Sequence, residues 1–205
     1  MLLSLLMCMS CQHEDPEITG LAPYFRVKFI NQGSIDILED SIALVDKALE
    51  DISDSLTVID SLEIIYDTLD LSVNKESLSD LRQIFNEKKT GYNSSISLIN
   101  SGKMKVQKIE GDDGSGTISY SDSLTLYKIP LNPNTDFSRF YIYIEGSEYS
   151  IDTRYERNTI EDNRNIIIQA TNFEVLDQSG FRDLSISNSD SVNLTSDGAT
   201  IVAYF

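Results

Sequence analysis

An alternation of apolar and polar residues near the start of the chain predicts a β-strand. Within residues 24–30, the side chains of Phe25, Val27 and Phe29 fall on one face of an extended segment. An Asn-Gln-Gly sequence at residues 31–33 then supplies a turn signal. We therefore expect a short strand that buries one face and ends at this turn.

The period of the apolar residues becomes helical from Ser34 to Ser101. A first stripe advances in steps of three and four residues through Leu38, Ile42, Val45, Leu49, Ile52, Leu56, Ile59 and Leu62, and Tyr66 and Leu69 continue it. A second stripe, expected to start near Glu76, contains Leu78, Leu81, Phe85, Tyr92, Ile96 and Ile99. Such steps let helices pack side by side. The short gap between the stripes favours an antiparallel helical hairpin, and a long parallel coiled-coil dimer is the alternative.

The remainder of the chain, from Lys103 to Phe205, is predicted to be rich in strands. Apolar and aromatic runs occur at residues 104–109, 117–127, 140–144, 149–152, 166–168, 173–176 and 201–205. Turn-forming sequences rich in Asn, Asp, Gly, Pro and Ser separate several of them. Short strands at this spacing are typical of an antiparallel sandwich, and we expect residues 24–30 to join it.

The fold class predicted from these patterns is α+β, an antiparallel β-sandwich with an inserted acidic α-helical hairpin. Residues 24–33 and 102–205 form the predicted sandwich, and residues 34–101 form the predicted insertion. Two N-terminal segments precede them, residues 1–10 and residues 11–23.

The charge balance is strongly acidic, with 33 Asp and Glu against 16 Lys and Arg and a net charge of −17. A polyanion repels nucleic acid, and this charge also disfavours docking of the protein body on anionic headgroups. Eleven acids lie between Asp36 and Asp70, where Lys47 is the single base. They form either a solvated outer face of the first helix or a patch for a basic partner or divalent cations.

Residues 1–10 have the pattern of a lipoprotein signal peptide. Their apolar run is too short for a membrane span, which needs roughly 20 residues, and the small residue Ser10 precedes Cys11. We expect cleavage before Cys11 and acylation, including palmitate, at that residue. The alternative is that Cys8 and Cys11 form a disulfide or enter a core. Because residues 1–10 carry no Lys or Arg, we expect the true translation start to lie upstream of Met1.

The segment that follows Cys11 is acidic, with Glu14, Asp15 and Glu17 close to the predicted acylation site. It resembles the surface-export signal of Bacteroidetes lipoproteins, and its alternative role is a solvated tether over residues 11–23. The resemblance implies attachment to the outer membrane through acyl chains on Cys11, at the cell surface or on the periplasmic face.

Further segments resemble an uncharacterised family of small Bacteroidetes lipoproteins. These segments are residues 23–29, 122–124, 129–132, 135–137 and 149–155, which contain the early aromatic strand, an Ile-Pro-Leu-Asn sequence and a late aromatic strand. No function is known for that family, so the resemblance implies location and fold only.

Catalytic and cofactor chemistry finds little support in the sequence. His13 is the only histidine and lies in the predicted tether, so a Ser-His-Asp or Cys-His arrangement and a His/Cys zinc site are not expected. Asp112 and Asp113 lie in a Gly-rich segment and are weak calcium candidates, with an ordinary turn as the alternative. We expect no cofactor.

Three hypotheses for the function follow. The first is a lipid-anchored, non-enzymatic binding or scaffolding domain, with a protein partner at the helical hairpin where its apolar stripe is wider than the sandwich can cover. The second is a glycan or nutrient-ligand module that binds through Tyr141, Tyr143, Tyr149 and Tyr155, although sandwich packing also explains these residues. The third is a hydrolase that uses a pair of carboxylates.

Overall fold

The computed structural model describes residues 23–66, 68–112, 116–162, 165–187 and 199–205, with the backbone alone at 161, 162, 165 and 166. Cys11, His13 and the whole signal and tether region therefore lie outside the described residues. Two helices and nine strands follow one another in these ranges: β1 Tyr24–Ile30, α1 Gln32–Ile65, α2 Ser72–Asn100, β2 Val106–Gly111, β3 Gly116–Ser119, β4 Tyr127–Pro130, β5 Phe137–Ile144, β6 Ser147–Asp162, β7 Asn165–Ser179, β8 Asp183–Ser187 and β9 Thr200–Tyr204.

The strands form two sheets that pack face to face, so the predicted α+β sandwich is confirmed. The four-stranded sheet has the order β4-β1-β9-β8, and the five-stranded sheet has the order β3-β2-β5-β6-β7. Every described pairing is antiparallel except that of β1 with β9. Pro130 ends the edge strand β4, where a residue without an N–H is tolerated.

The core between the sheets contains the predicted face of β1. Phe25, Val27 and Phe29 are almost wholly buried. The ring of Phe25 lies 5.4 Å from that of Phe140 on β5 and 5.2 Å from that of Phe173 on β7, measured between centroids. These distances are typical of packed aromatic pairs, and they join the two sheets.

Strands β6 and β7 are longer than the sequence pattern predicted. The runs at 166–168 and 173–176 were expected as separate strands, but they belong to the single strand β7. Strand β5 pairs with β6 only as far as Arg154, and from Glu156 onward β6 pairs with β7 alone. The two strands therefore continue as a ribbon beyond the sheet, with irregular pairing between Asp152 and Glu156. Strand β8 was not predicted, because only Leu184 and Ile186 mark its alternation.

The helical insertion is an antiparallel hairpin, as predicted. Asn31 caps α1, since its side-chain oxygen accepts a hydrogen bond from the N–H of Ser34 at 2.8 Å. The second helix begins at Ser72, earlier than the expected start near Glu76. The carboxylate of Asp70 accepts the N–H of Ser72 at 3.0 Å, and this contact lowers the pKa of Asp70.

Candidate functional site: the apolar face of the helical hairpin

The hairpin has a thin core of its own. Ile35, Val45 and Ile52 are the fully buried residues of α1, and no residue of α2 is fully buried. None of the three belongs to the core between the sheets. The rest of the predicted first stripe is half-buried from Leu38 to Leu62, but Tyr66 and Leu69, which were expected to continue it, are 57% and 41% exposed. In α2 the predicted stripe is also half-buried, except that Leu81 is 45% exposed. The two helices therefore cover only a narrow seam on each other.

Ion pairs identify one flank of this seam. Lys89 Nζ lies 2.6 Å from Asp46 Oδ1, and Lys75 Nζ lies 2.7 Å from Asp60 Oδ1. Glu63 also contacts Lys75, and the two carboxylates raise the pKa of that lysine, Asp60 more than Glu63. Because the partners occur in opposite order along α1 and α2, these contacts show the level at which each residue of α1 lies beside α2.

The opposite flank of the seam is apolar and exposed. Leu44 and Asp46 lie on either side of buried Val45, and Val58 and Asp60 lie on either side of Ile59. Successive residues of an α-helix are about 100° apart, so each apolar residue points away from the ion-paired flank. On α2, residues 84 and 98 precede the seam positions 85 and 99 in the same way. In an antiparallel pair these flanks lie on the same side of the hairpin.

We call this surface the apolar face and define it by seven large side chains. They are exposed as follows: Ile37 67%, Leu44 72%, Val58 57%, Ile65 67%, Leu81 45%, Ile84 47% and Leu98 64%. On α1 they recur at intervals of seven residues, with Asp51 in the middle place of the series. A seven-residue period is the signature of a helix surface that packs on another helix.

Small side chains fill the places between these residues. Ser41, Ala48 and Ser55 lie four residues after positions 37, 44 and 51, and on α2 the corresponding small residues are Ser77, Gly91 and Ser95. The added Cβ of an alanine at Gly91 would meet no atom within 4 Å. Small residues between large ones let a further helix approach closely, because its own side chains can fill the gaps.

The acidic residues avoid the apolar face. Helix α1 carries nine Asp and Glu and one Lys, and of the acids only Asp51 lies among the positions just described. The sequence pattern predicted exposed apolar surface on the hairpin, but of the seven residues only Leu81 belonged to a predicted stripe. Their signal was available in the seven-residue spacing of Ile37, Leu44, Val58 and Ile65.

The four tyrosines proposed as a ligand platform do not share one surface. Tyr141 and Tyr143 lie on the outer face of β5, opposite buried Ile142 and Ile144, as the alternation predicted. Tyr155 is only 1% exposed, and its hydroxyl donates a hydrogen bond to the carbonyl oxygen of Asn132 at 2.9 Å. Tyr155 is therefore a core residue that no surface ligand can reach.

Tyr149 also packs inside the structure rather than beside Tyr141. Its ring stacks on Phe181 at 4.7 Å and meets Phe205 at 5.5 Å, measured between centroids. The remaining pair is engaged with its neighbours, since Lys108 Nζ lies 4.2 Å from the ring centroid of Tyr143. The pKa of Tyr143 is well above its usual value, mainly because of a hydrogen bond to Glu148 and to a smaller extent because of burial.

Strand β5 also carries a tight ion pair on this outer face. Arg139 donates two hydrogen bonds to Asp152, from Nε at 2.7 Å and from Nη2 at 2.5 Å. Asp152 holds the pKa of Arg139 above its usual range through these contacts. The polar groups of the sheet thus bind one another, which supports a structural role for this face.

Of the two calcium candidates, Asp113 lies outside the described residues, and Asp112 is exposed. No group of three or more His, Cys, Asp or Glu in the described ranges is placed to hold a metal ion. In the same part of the chain, every buried side-chain nitrogen or oxygen has a hydrogen-bond partner. The exposure of its large apolar side chains makes the apolar face the candidate functional surface.

Neither α1 nor α2, nor any other helix that the structure describes, combines the length and apolarity that a membrane span requires. Comparisons with protein-family models, curated proteins and solved structures find no match for this chain. Its function is therefore inferred from its own residues.

Proposed function

We propose that this protein is a lipid-anchored lipoprotein of the outer membrane that works as a non-enzymatic binding or scaffolding domain. The sandwich carries the helical hairpin, and the apolar face of the hairpin contacts a protein partner. The observation that carries this proposal is the exposure of seven large apolar side chains on one side of two helices. Surface of this kind is stabilised when a partner covers it.

Helix geometry supports a protein partner rather than a small ligand. The apolar face follows the long axis of α2, whose 29 residues span about 44 Å at 1.5 Å per residue. A small molecule is normally enclosed by a concave pocket, whereas this surface is long and lies on the outside of the hairpin. A partner helix with its own seven-residue apolar period matches it in length and spacing.

Photo-crosslinking in the native cell envelope tests this role. A photoreactive phenylalanine analogue replaces Leu44 or Ile84 on the apolar face, and in matched controls it replaces Thr57 or Gln83, which are exposed on the other flank. We expect protein adducts from positions 44 and 84 and none from positions 57 and 83. Equal labelling at all four positions, or none at any, would contradict the proposal.

The membrane anchor rests on Ser10 and Cys11 and is tested separately. We expect the mature N-terminus to be a diacylated or triacylated Cys11, and a Cys11→Ser variant to lose the lipid while a Cys8→Ser variant keeps it. Mass spectrometry of the N-terminal peptide measures this directly. Protease added to intact cells then distinguishes a surface location from a periplasmic one. An unmodified Cys11 would overturn the anchor and leave the role of the hairpin to be judged by crosslinking.

A further inference from the structure

We infer that the partner of the apolar face is a second copy of this chain, so that two hairpins form a four-helix bundle. The inference rests on the proposed function, because it names the partner of the same surface. In the arrangement that the charges favour, α1 of each copy packs against α2 of the other, and both sandwiches lie at the same end of the bundle. Four-helix bundles pack through such seven-residue seams.

The charges on the apolar face are self-complementary. The large and small side chains of the apolar face belong to two seven-residue series on each helix. The charged residues in these series are Asp51 on α1 and Lys88 on α2. Neither takes part in an ion pair within the described residues. The alignment of Asp46 with Lys89 and of Asp60 with Lys75 puts residue 51 level with residue 84. Lys88 is thus one helical turn along the axis from the level of Asp51.

A two-fold axis parallel to the hairpin brings these two residues together. A rotation about this axis keeps every residue at its own height along the bundle and places α1 of one copy beside α2 of the other. Each Asp51 then lies within one helical turn of the partner's Lys88. The Asp51–Lys88 pair therefore forms twice in the dimer, once for each copy of α1. A closed two-fold interface requires this kind of self-matching surface.

The overall charge of the two helices favours the same pairing. Helix α1 carries nine acids and one base, whereas α2 carries three acids and four bases. Packing α1 against a second α1 would juxtapose two strongly acidic helices, while packing it against α2 places acids beside bases. The acidic surroundings of the face also disfavour an anionic lipid surface as its occupant.

The size of the face suits a stable dimer. The side of the hairpin that carries the apolar face is about 44 Å long and two helices, about 20 Å, wide, which gives a footprint of roughly 900 Å² per copy. Stable protein interfaces bury about 800 Å² per partner. This side of the hairpin therefore provides enough area without a contribution from the sandwich.

Co-purification of two differently tagged full-length copies tests the inference. The copies are co-expressed in the native host and solubilised in detergent, one tag is captured, and the recovery of the other is measured. We expect efficient recovery for the natural sequence and at least a tenfold loss for Leu44→Glu and for Val58→Glu. Thr57→Glu, which adds the same charge on the opposite flank, keeps full recovery. Circular dichroism confirms that all variants retain their helices.

Charge exchange identifies the arrangement. Asp51→Lys in both copies, or Lys88→Asp in both copies, places like charges opposite each other and lowers recovery. One copy with Asp51→Lys and the other with Lys88→Asp restores both attractive pairs, and so does the double variant in both copies. Failure of the mixed pair to recover would overturn the α1-to-α2 arrangement.

Two results would overturn self-association itself. The first is no co-purification of the natural sequence. The second is co-purification that Leu44→Glu and Val58→Glu leave unchanged. If positions 44 and 84 then crosslink to a different protein, the partner is not a second copy of this chain, while the proposed binding role of the face stands. If those positions also give no adduct, the binding role fails as well.

Discussion

The hydroxyl of Tyr127 donates a hydrogen bond to the carbonyl oxygen of Met104 at 2.6 Å. Met104 lies on the segment that leaves α2, and Tyr127 begins the edge strand β4. The same hydroxyl oxygen accepts the N–H groups of Val106 and Leu124, each at 3.2 Å. A single buried hydroxyl therefore attaches the exit of the helical hairpin to the sandwich.

Removal of this hydroxyl is expected to destabilise the protein. Tyr127→Phe takes away the hydroxyl that accepts the N–H of Val106, in a site where Tyr127 is 0% exposed, while Leu124 N–H keeps its hydrogen bond to the Met104 carbonyl oxygen at 3.0 Å. We expect a loss of about 1–2 kcal/mol in the free energy of unfolding, measured by urea denaturation. Tyr66→Phe removes a hydroxyl from a side chain that is 57% exposed and is the control, with a change near zero. Equal losses of stability in the two variants would show that the Tyr127 hydroxyl does not hold the hairpin exit to the sandwich.

Gly180 and Gly146 form a matched pair of glycines with positive φ. Their φ angles are 84° and 85°, so an alanine at either position is strained. At Gly180 an added Cβ would also lie 2.9 Å from Tyr149 Cδ1 and 3.2 Å from the carbonyl oxygen of Glu148, whereas at Gly146 it would meet no atom within 4 Å. We expect Gly180→Ala to lower the free energy of unfolding by about 1–2 kcal/mol more than Gly146→Ala. Thermal or urea denaturation of both variants measures this difference.

Asp36, at the base of the hairpin, is expected to titrate below the usual range of an aspartate. The side chain of Gln32 donates to its carboxylate at 2.8 Å and Arg182 on the sandwich at 2.5 Å, and both contacts lower the pKa of Asp36, Gln32 the more strongly. Since the pKa is lower in the folded state, this contribution to stability is present above the unfolded-state pKa of about 3.9. It is lost as the pH falls through the folded-state pKa.

Carbon-13 NMR of the Asp36 carboxyl group follows this titration. We expect Gln32→Ala and Arg182→Ala each to raise the pKa of Asp36, with the larger rise for Gln32→Ala. Arg182→Lys keeps a positive charge at the junction and should raise it less than Arg182→Ala. An Asp36 pKa that neither alanine variant changes would show that these contacts do not form in solution.

The hairpin and the sandwich are expected to lose stability separately. Ile52 is 7% exposed and packs within the hairpin seam, outside the core between the sheets. Ile52→Ala should therefore destabilise the hairpin by about 2–4 kcal/mol, the usual cost of truncating a buried aliphatic side chain. Native-state hydrogen exchange should show faster exchange in α1 and α2 and unchanged protection in β1 and β5. Uniformly faster exchange in both parts would show that they unfold as one unit.

Local patterns of the sequence determined β1 and the two helices of this protein. The alternation around Phe25, Val27 and Phe29 specified a strand with one buried face, because side chains of a strand alternate between faces. The steps of three and four residues through Val45 and Ile52 specified two helices with a shared seam. Both patterns depend on neighbours within a few residues, which is why they can be read without the fold.

Tertiary structure decided which of the apolar series on α1 became buried and which stayed exposed. Ile37 and Leu44 are as apolar as Ile35 and Val45, but the first pair is 67% and 72% exposed and the second pair is buried. The four tyrosines do not form a platform, because the regular pairing of β5 with β6 puts Tyr149 on the face of Ile142, and the alternation of β6 then puts Tyr155 on the same inner face. Burial depends on which distant segments pack together, and short-range patterns carry little information about that choice. The apolar face therefore follows from the pairing of α1 with α2, which leaves one flank of the hairpin uncovered.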